Sequence, residues 1–373
     1  MNAIPRSLYV HIPWCLRKCP YCDFNSHEAK QPDFSGYGRA LTQDLLADLN
    51  DFGKVPFRSV FFGGGTPSLM PPEDLQPLFQ ILNEKNLIDR STEITLEANP
   101  GTRDRGHLAG YRDLGINRLS IGVQSFQKHT LEVLGRIHDT EDSIIMVEEA
   151  RTAGFKRINL DLMHGTPGQT SQESDADLNK AKALGIDHIS WYQMTIEKNT
   201  AFFSNPPILP NETTLERTEL SGSRILESMG LVHYEISAFA TPGEEAKHNM
   251  NYWEFGDYLG LGAGAHGKVT VSGEVLRTTR TRHPDHYLKR LNAGAQRHYV
   301  DKELLGAECL MNSLRLQQGI SYPLFTERTG LDPEKFRRQH LMVADDLGLL
   351  MPEKFQATEL GWRHLNRLLE MLV

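Results

Sequence analysis

The sequence contains little cysteine: four of its 373 residues are cysteines. Three of them, Cys15, Cys19 and Cys22, fall within eight residues, and the fourth, Cys309, stands far downstream outside any motif. A disulfide framework would distribute paired cysteines along a secreted chain, so this distribution argues against one and favours a reducing cytoplasm.

Other features are also missing. No apolar run approaches the roughly 18 residues that a membrane span requires, and the first residues lack the apolar segment of a secretory signal. Basic residues are too few for a protein whose main partner is nucleic acid, because the net charge is −8. With 39% hydrophobic and 24% charged residues, the composition is that of a globular protein with one large and one smaller domain. We therefore expect a cytoplasmic protein that does not bind nucleic acid.

From residue 7 to about residue 240, short β-rich segments alternate with segments of helical periodicity. The predicted strands are 8–12, 60–62, 93–96, 119–123, 158–162, 188–192 and 234–238. The predicted helices are 37–51, 72–83, 143–153, 175–184 and 215–229. Strand–helix alternation on this scale predicts a parallel sheet with helical crossovers, in an α/β fold.

Four segments share one layout, in which a glycine precedes an apolar residue, two polar residues and an alternating run. The glycines are Gly115, Gly154, Gly185 and Gly230. A glycine just past a helix can adopt the left-handed conformation that ends it. The pattern therefore predicts four copies of one helix-to-strand joint.

Polar residues follow the predicted strands at the point where each strand ends. They are the segment Gly63-Gly-Gly-Thr-Pro67, then Glu97, Gln124, Asp161 and Gln193. The carboxyl ends of parallel strands converge on one face, where ligands bind. We therefore expect these residues to form a single site.

The character of the sequence changes after residue 240. Residues 242–267 are rich in glycine, histidine and aromatics and are typical of a long functional loop, and residues 268–281 alternate around Ser272-Gly273, which predicts a hairpin. Helical patterns follow at 303–316, 322–329, 333–347 and 358–372. We expect a core barrel over residues 1–240, a loop and hairpin region over 241–300 and a small winged-helix-like α domain over 301–373.

Two alternatives compete for the cysteine loop. Three thiolates can hold an iron–sulfur cluster and leave one iron without a protein ligand. Zinc is the main alternative, since His11 and His27 flank the motif and Cys3His sites are common, although no second Cys/His doublet stands at comparable spacing. Three buried structural cysteines would be a third explanation.

The spacing Cys15-x3-Cys19-x2-Cys22, with Tyr21 before the last cysteine and the loop after a first strand, resembles the radical SAM superfamily. The segment Gly63–Pro67 is similar to that superfamily's glycine motif. The resemblance implies a partial (β/α)6-type barrel and a 4Fe-4S cluster whose open iron chelates S-adenosylmethionine (SAM). The cluster ligands would be the three cysteines.

Over nearly the whole chain, motifs such as 8–15, 122–126 and 159–165 resemble the coproporphyrinogen dehydrogenase branch of that superfamily. This resemblance implies a set of SAM-contacting residues. They would be Tyr9, Tyr21, Gly64, Gly65, Thr66, Glu97, Gln124, Arg136, Asp161, Thr195 and His266. Carboxylates at Glu97 and Asp161 suit ribose hydroxyls, and the planar fork of Arg136 suits a carboxylate; a salt bridge within the barrel is the structural alternative for Asp161 and Arg136.

Two differences separate the chain from the catalytic members of that branch. Phe24 stands where the dehydrogenase has a further cysteine, and the long N-terminal extension of the dehydrogenase has no counterpart before the first strand. The segment His248-Asn-Met-Asn-Tyr252-Trp253 instead resembles the signature of the haem chaperones. Histidine is a common haem ligand and aromatic rings stack on porphyrins, so His248, Tyr252 and Trp253 are candidate haem residues, although a hydrogen-bonded loop histidine is an equal alternative.

The resemblance therefore implies a haem chaperone that carries a SAM-coordinated cluster and passes haem to an acceptor haemoprotein. Its alternatives are oxygen-independent oxidative decarboxylation of coproporphyrinogen III and a radical SAM reaction on another substrate. Whether the chain also associates peripherally with a membrane, or pairs as a homodimer, is left open. The basic residues of the tail have acidic neighbours, which favours a lid or docking module over a nucleic-acid-binding one.

Overall fold

The computed structural model describes residues 4–101, 105–289 and 294–372. Four short stretches of the predicted barrel, loop and C-terminal regions lie outside the described residues: 1–3, 102–104, 290–293 and 373. The strands are β1 (Arg6–Ile12), β2 (Trp14–Cys15), β3 (His27–Glu28), β4 (Phe57–Gly64), β5 (Glu93–Ala98), β6 (Arg118–Gln124), β7 (Arg157–His164), β8 (His188–Gln193), β9 (Val232–Glu235), β10 (Ala238–Ala240), β11 (Asp257–Leu261), β12 (His266–Val271), β13 (Glu274–Thr279) and β14 (Gln296–Tyr299).

The helices alternate with these strands and then dominate the end of the chain. They are α1 (Phe34–Phe52), α2 (Pro72–Glu84), α3 (Leu108–Leu114), α4 (Lys128–Val133), α5 (Thr140–Thr152), α6 (Ser171–Ala183), α7 (Ala201–Ser204), α8 (Glu212–Ser228), α9 (Lys247–Trp253), α10 (Pro284–Lys289), α11 (Lys302–Ser313), α12 (Tyr322–Thr329), α13 (Pro333–His340), α14 (Met342–Asp346), α15 (Glu359–Arg363) and α16 (Leu365–Glu370). Across the described ranges, no helix is both long enough and apolar enough to span a bilayer.

A 12-stranded sheet organises the fold, in the order β14-β13-β12-β11-β1-β4-β5-β6-β7-β8-β10-β9. Its centre, from β11 to β8, is parallel. Both edges are antiparallel, with β12, β13 and β14 on one side and β10 and β9 on the other. The predicted α/β class and the six predicted strands β1, β4, β5, β6, β7 and β8 are confirmed.

Two local predictions were wrong. The predicted strand 234–238 is a hairpin: β9 ends at Glu235, a turn follows, and β10 pairs antiparallel with β9. The predicted loop 242–267 contains α9 and β11, and β11 adds to the parallel sheet beside β1. Its sequence, Asp-Tyr-Leu-Gly-Leu, runs into a glycine-rich segment, and its pairing partner lies about 250 residues away along the chain.

The four predicted helix-to-strand joints are present. Gly115, Gly154, Gly185 and Gly230 all have positive φ, and each stands between a helix and the next strand. Capping boxes start two of the crossover helices, with Asp139 and Asp142 at α5 and Thr170 and Glu173 at α6. These caps satisfy backbone N–H groups that would otherwise lack partners, and so fix where each crossover begins.

The two largest apolar cores of the described residues lie in different parts of the chain. One lies between the parallel sheet and its crossover helices, with Leu8, Val10 and Ile12 of β1 at its centre. The other lies within the helices of the C-terminal part, but it also contains Phe255 and Val275 from the sheet region. Isolated antiparallel bridges join Ile320 to Phe355 and Leu350 to Ala357 within the helical C-terminal part, and its winged-helix-like character stays a prediction.

Candidate functional site

The three clustered cysteines lie on one loop at the carboxyl end of β1. Cys15 ends β2, which pairs in parallel with β3 and so folds the loop back on itself. The Cys22 backbone N–H donates to the Cys19 carbonyl at 3.2 Å. All three thiols are free of disulfides and partly buried.

Each sulfur has a polar side chain beside it. Thr66 Oγ1 lies 3.5 Å from Cys15 Sγ, Arg136 Nη1 3.6 Å from Cys19 Sγ, and Ser26 Oγ 3.9 Å from Cys22 Sγ. Burial raises the pKa of the Cys15 and Cys22 thiols, and binding to iron would release their protons. Free thiols that face one cavity, with hydrogen-bond donors around the sulfurs, fit a cluster held by three cysteines.

The zinc alternative fits less well. His11 uses both ring nitrogens, because Nδ1 pairs with the Tyr9 hydroxyl at 3.0 Å and Nε2 with the Asn25 carbonyl at 2.8 Å. His27 Nε2 lies 3.3 Å from Asn25 Oδ1, and its ring packs against His283. Within the described ranges, no three His, Cys, Asp or Glu side chains are arranged to hold a single metal ion.

A cavity of about 410 Å³ opens beside the cysteine loop at the carboxyl ends of the parallel strands. It brings together every residue of the predicted cluster and SAM sites except Tyr9 and His266. The predicted residues that line it are Cys15, Cys19, Tyr21, Cys22, Gly64, Gly65, Thr66, Glu97, Gln124, Arg136, Asp161 and Thr195. The volume is in the range of small-molecule sites. The polar residues at the strand ends, for which the sequence predicts a single site, line this one cavity.

Two carboxylates lie on neighbouring parts of the cavity floor. Glu97 Oε2 accepts from the Gly64 backbone N–H at 3.2 Å. Asp161 accepts from Ser120 Oγ at 3.0 Å and from Asn159 Nδ2 at 2.8 Å, which fixes its orientation. Burial, together with the nearby charge of Asp161, raises the pKa of Glu97 to about 8. A floor of this kind can accept hydrogen bonds from ligand hydroxyls.

Arg136 lines the cavity, and its guanidinium group donates hydrogen bonds to acceptors within the protein. Nη2 donates to the Gly122 carbonyl at 2.8 Å and to Asn99 Oδ1. Asn99 also donates to Thr66 Oγ1 at 2.9 Å, which links Arg136 to the glycine segment. The sequence reasoning missed Asn99, although its place one residue beyond β5 follows the same strand-end rule that identified Glu97.

Tyr192 is the second residue that the sequence reasoning missed. Its hydroxyl donates to Gln124 Oε1 at 2.7 Å, and both side chains line the cavity. Gln124 itself has a positive φ of 66°, which is uncommon for a non-glycine residue and turns the chain sharply at the end of β6. The Tyr192 contact therefore holds the Gln124 side chain toward the cavity.

Gly65, the residue directly after β4, is required by the packing of the protein itself. A Cβ atom on Gly65 would stand 2.6 Å from the Trp14 carbonyl oxygen. The Gly65 N–H donates to the Ile12 carbonyl, and the Thr66 N–H to the Trp14 carbonyl, both at 2.8 Å. Close backbone approach therefore fastens the glycine segment to the strand that carries Cys15.

Tyr9 and His266 lie outside the residues that line the cavity. Tyr9 points beneath it, where its hydroxyl meets His11 and its ring stacks on Phe61 at 6.3 Å. His266 is exposed at the start of β12, with Nδ1 3.5 Å from Thr279 Oγ1. For both residues the contact with SAM stays a prediction.

The three candidate haem residues lie at the other end of the barrel, on α9. His248 faces the sheet interior, where Nδ1 lies 3.1 Å from Ser59 Oγ and the ring stacks on Phe61 at 4.9 Å. Burial lowers the pKa of His248 to about 4. Tyr252 is exposed and contacts Trp253, which packs against the C-terminal core. The three side chains thus point in different directions, and their role in haem binding stays a prediction.

Comparisons with known proteins agree with this architecture. The family model for the radical SAM superfamily matches residues 9–181, and that for the HemN C-terminal domain matches residues 300–364. Among solved structures, coproporphyrinogen III oxidase (HemN) from Escherichia coli has a TM-score of 0.82 over 99% of this chain and 90% of its own, at 23% identity. At that identity the likeness shows a shared fold.

The sequence relatives are closer. The haem chaperone HemW of Escherichia coli K12 is 42% identical over 99% of this chain and 98% of its own length. HemW of Haemophilus influenzae is also 42% identical over the same shares, and HemW of Bacillus subtilis is 37% identical over 79% of this chain and 75% of its own. The chain therefore belongs to the HemW family of the radical SAM superfamily.

Proposed function

We propose that this protein is a haem chaperone, which binds haem and passes it to an acceptor haemoprotein while it carries a SAM-coordinated 4Fe-4S cluster. The observation that carries the proposal is the full-length similarity, at 42% identity, to proteins named haem chaperones. Phe24 supports it, because the resemblance to the dehydrogenase branch implies a further cysteine at this position in the catalytic members. Three free cysteines on one loop also suit a reducing, cytoplasmic compartment.

In this proposal Cys15, Cys19 and Cys22 ligate the cluster, and the strand-end residues from Gly64 to Thr195 form the bed for SAM. A reduced cluster of this type supplies the electron that cleaves SAM in radical SAM chemistry. The contributions of the protein itself are orientation and exclusion of water. Asp161 is pre-positioned by Ser120 and Asn159, and Arg136 is pre-positioned by Asn99 and Gly122.

Two measurements on anaerobically purified protein with reconstituted cluster test the proposal. We expect added haem to give a Soret band, and we expect no protoporphyrinogen IX from coproporphyrinogen III, SAM and a reductant. The second measurement matters because the fold is shared with coproporphyrinogen III oxidase. If the protein produces protoporphyrinogen IX and gives no Soret band, its function is the decarboxylase reaction and the chaperone proposal is wrong.

A further inference from the structure

A second cavity, of about 490 Å³, opens at the other end of the barrel from the cysteine loop. Its walls are β9, α9, the start of β4 and the segment between α11 and α12. The lining residues are Arg58, Val232, His233, Tyr234, Gly243, Glu245, Lys247, Met250, Gln317 and Gln318. Arg58 and Gly64 lie six residues apart on β4, which places the two cavities about 20 Å apart.

An adjoining cavity of about 440 Å³ shares Arg58 and Lys247 with this one. The two cations therefore stand where the cavities meet. Each cavity alone is in the 300–1,000 Å³ range that is typical of small-molecule sites. Together they form one groove, in which the cations Arg58 and Lys247 are shared by both cavities and the carboxylates Glu245 and Asp89 also line the walls.

The charges of the groove are arranged to receive an anion. Lys247 Nζ donates to the Ser91 carbonyl at 2.9 Å, and within the described ranges it forms no ion pair. Arg58 pairs with Glu254 at 3.0 Å through one nitrogen, which leaves further N–H donors. The carboxylates that line the groove are already engaged with backbone N–H groups, Glu245 with that of Gly243 and Asp89 with that of Ser91. A carboxylate that binds here would thus contact Arg58 and Lys247, both of which have N–H donors without a partner in these contacts.

One wall of the groove suits a flat apolar ring that contains iron. The His233 imidazole stacks on Phe239 with ring centroids 4.2 Å apart and an interplanar angle of 10°. Both ring nitrogens of His233 are already hydrogen-bonded, Nδ1 with Gln317 Nε2 at 3.3 Å and Nε2 with the Ile236 carbonyl at 3.4 Å, so His233 contributes a ring surface to this wall and not an iron ligand. Methionine is a haem ligand, and Met250 lines the same cavity as His233. The Tyr234 hydroxyl already has a hydrogen-bond partner, His188 Nε2 at 2.9 Å.

Helix α9 presents different faces to the groove and to the barrel. Lys247 and Met250 are three residues apart, so they share one face, and both line the groove. His248 belongs to a different face, which contacts Ser59 and Phe61 inside the barrel. The His248–Trp253 motif can therefore support haem binding by fixing the position of α9, without His248 itself as the iron ligand.

We propose that this groove is the haem site, with the haem carboxylates at Arg58 and Lys247 and the macrocycle against Val232, His233 and Met250. The inference rests on the proposed haem-binding function and names its site. Haem bound here is separated from the cluster by the length of the barrel.

Val232 allows a matched test, because its side chain is 53% exposed and lines the groove. We expect Val232→Glu to weaken haem binding about tenfold or more, since a carboxylate there repels the haem carboxylates, and we expect Val232→Lys to retain or improve it. The double variant Arg58→Gln with Lys247→Gln should also weaken binding by about tenfold or more. The readout is a Soret titration of the full chain.

Two controls make the result specific. Arg17→Gln removes a charge at the cysteine-loop cavity and should leave haem affinity unchanged. Haem dimethyl ester lacks free carboxylates and should bind the wild type and the double variant equally. Far-UV circular dichroism and the thermal midpoint check that each variant is folded.

The outcomes separate the site from the function. A wild-type protein without a Soret band would contradict the proposed function. A wild-type protein that binds haem, with unchanged affinity in Val232→Glu and the double variant, would overturn the groove alone. Loss of affinity in Arg17→Gln, with the groove variants unaffected, would assign haem to the cysteine-loop end.

Discussion

Cys19 connects the cysteine loop to the wall of the neighbouring cavity, because Arg136, which lines that cavity, donates to the Cys19 sulfur. We expect Cys19→Ala to abolish the visible absorbance of the reconstituted cluster, since two thiolates cannot hold it. Cys309→Ala is the matched control: Cys309 is fully buried in the C-terminal core, far from the loop. That control should keep the cluster and lose on the order of 1 kcal/mol of stability. An intact cluster in Cys19→Ala would contradict the assignment of the site.

Glu97 makes the stability of the cluster-free protein depend on pH. Burial and the charge of Asp161 raise its pKa from 4.5 to about 8. Because the folded pKa is the higher one, Glu97 contributes stability below about pH 4.5, and this contribution is lost as the pH rises toward about 8. We expect the wild type to lose on the order of a few kcal/mol across this range relative to Glu97→Gln.

Chemical denaturation at several pH values between about 5 and 8 measures this difference. Glu132→Gln, on the exposed side of α4, is the control and should follow the wild type. Tyr9, Tyr192 and Asp161 are the titratable groups that act on or are acted on by Glu97. Because the charge of Asp161 raises the pKa of Glu97, Asp161→Asn should reduce the effect. Identical pH profiles for the wild type and Glu97→Gln would show that Glu97 is already ionised in the folded protein.

At the scale of elements, α9 is a joint between the barrel floor, β11 and the C-terminal core. Asn251 is buried, and its Nδ2 donates to the Asp257 carbonyl at 2.9 Å. The backbone carbonyl of Asn251 accepts from the Gly256 backbone N–H at 2.8 Å. Together, the side-chain and backbone hydrogen bonds of Asn251 fix the turn that leads from α9 into β11.

We expect Asn251→Ala to lower the free energy of unfolding by about 1 to 3 kcal/mol, because it leaves the buried Asp257 carbonyl without this donor. Asn249→Ala, two residues earlier and partly exposed, should cost less than about 0.5 kcal/mol. Urea denaturation followed by far-UV circular dichroism measures both. Equal losses in the two variants would mean that the Asn251 hydrogen bond does not hold the joint.

The elements that the sequence predicts well are those whose signals are local. The glycine joints at Gly115 and Gly230 require only a helix end and a strand start, and both are present. β11 could not be predicted because its identity as a strand depends on pairing with β1, a contact far along the chain. Similarly, strand-end position predicts Glu97 and Asp161 in the cavity, whereas the direction of the Tyr192 side chain depends on its bond to Gln124.

At the scale of the whole molecule, the two proposed ligand sites lie at opposite ends of the same strands. Because about 20 Å of barrel separates them, we expect the cluster-free variant Cys19→Ala to bind haem with the affinity of the wild type. A Soret titration of the two proteins measures this. The wild type without added SAM serves as a second comparison and should also bind equally. A large loss of affinity in Cys19→Ala alone would indicate that haem contacts the cysteine-loop end.

The barrel and the C-terminal part share a core, so they should unfold together. Phe255 is fully buried among the C-terminal helices, and Lys268 Nζ lies 4.4 Å from its ring centroid. Backbone hydrogen bonds also cross the boundary, from the Ile236 N–H to the Arg315 carbonyl at 2.9 Å and from the Gln317 N–H to the Tyr234 carbonyl at 3.0 Å.

We expect Phe255→Ala to cost about 3 to 5 kcal/mol and to speed hydrogen exchange in peptides from both α12 and β6, because one cooperative unit contains both. Phe79→Ala, in the barrel core, is the control and should speed exchange in the same two sets of peptides. Hydrogen exchange followed by mass spectrometry gives the readout. Faster exchange in the C-terminal peptides alone after Phe255→Ala would show that this part unfolds independently, and the haem groove, which both parts line, would then open without loss of the barrel.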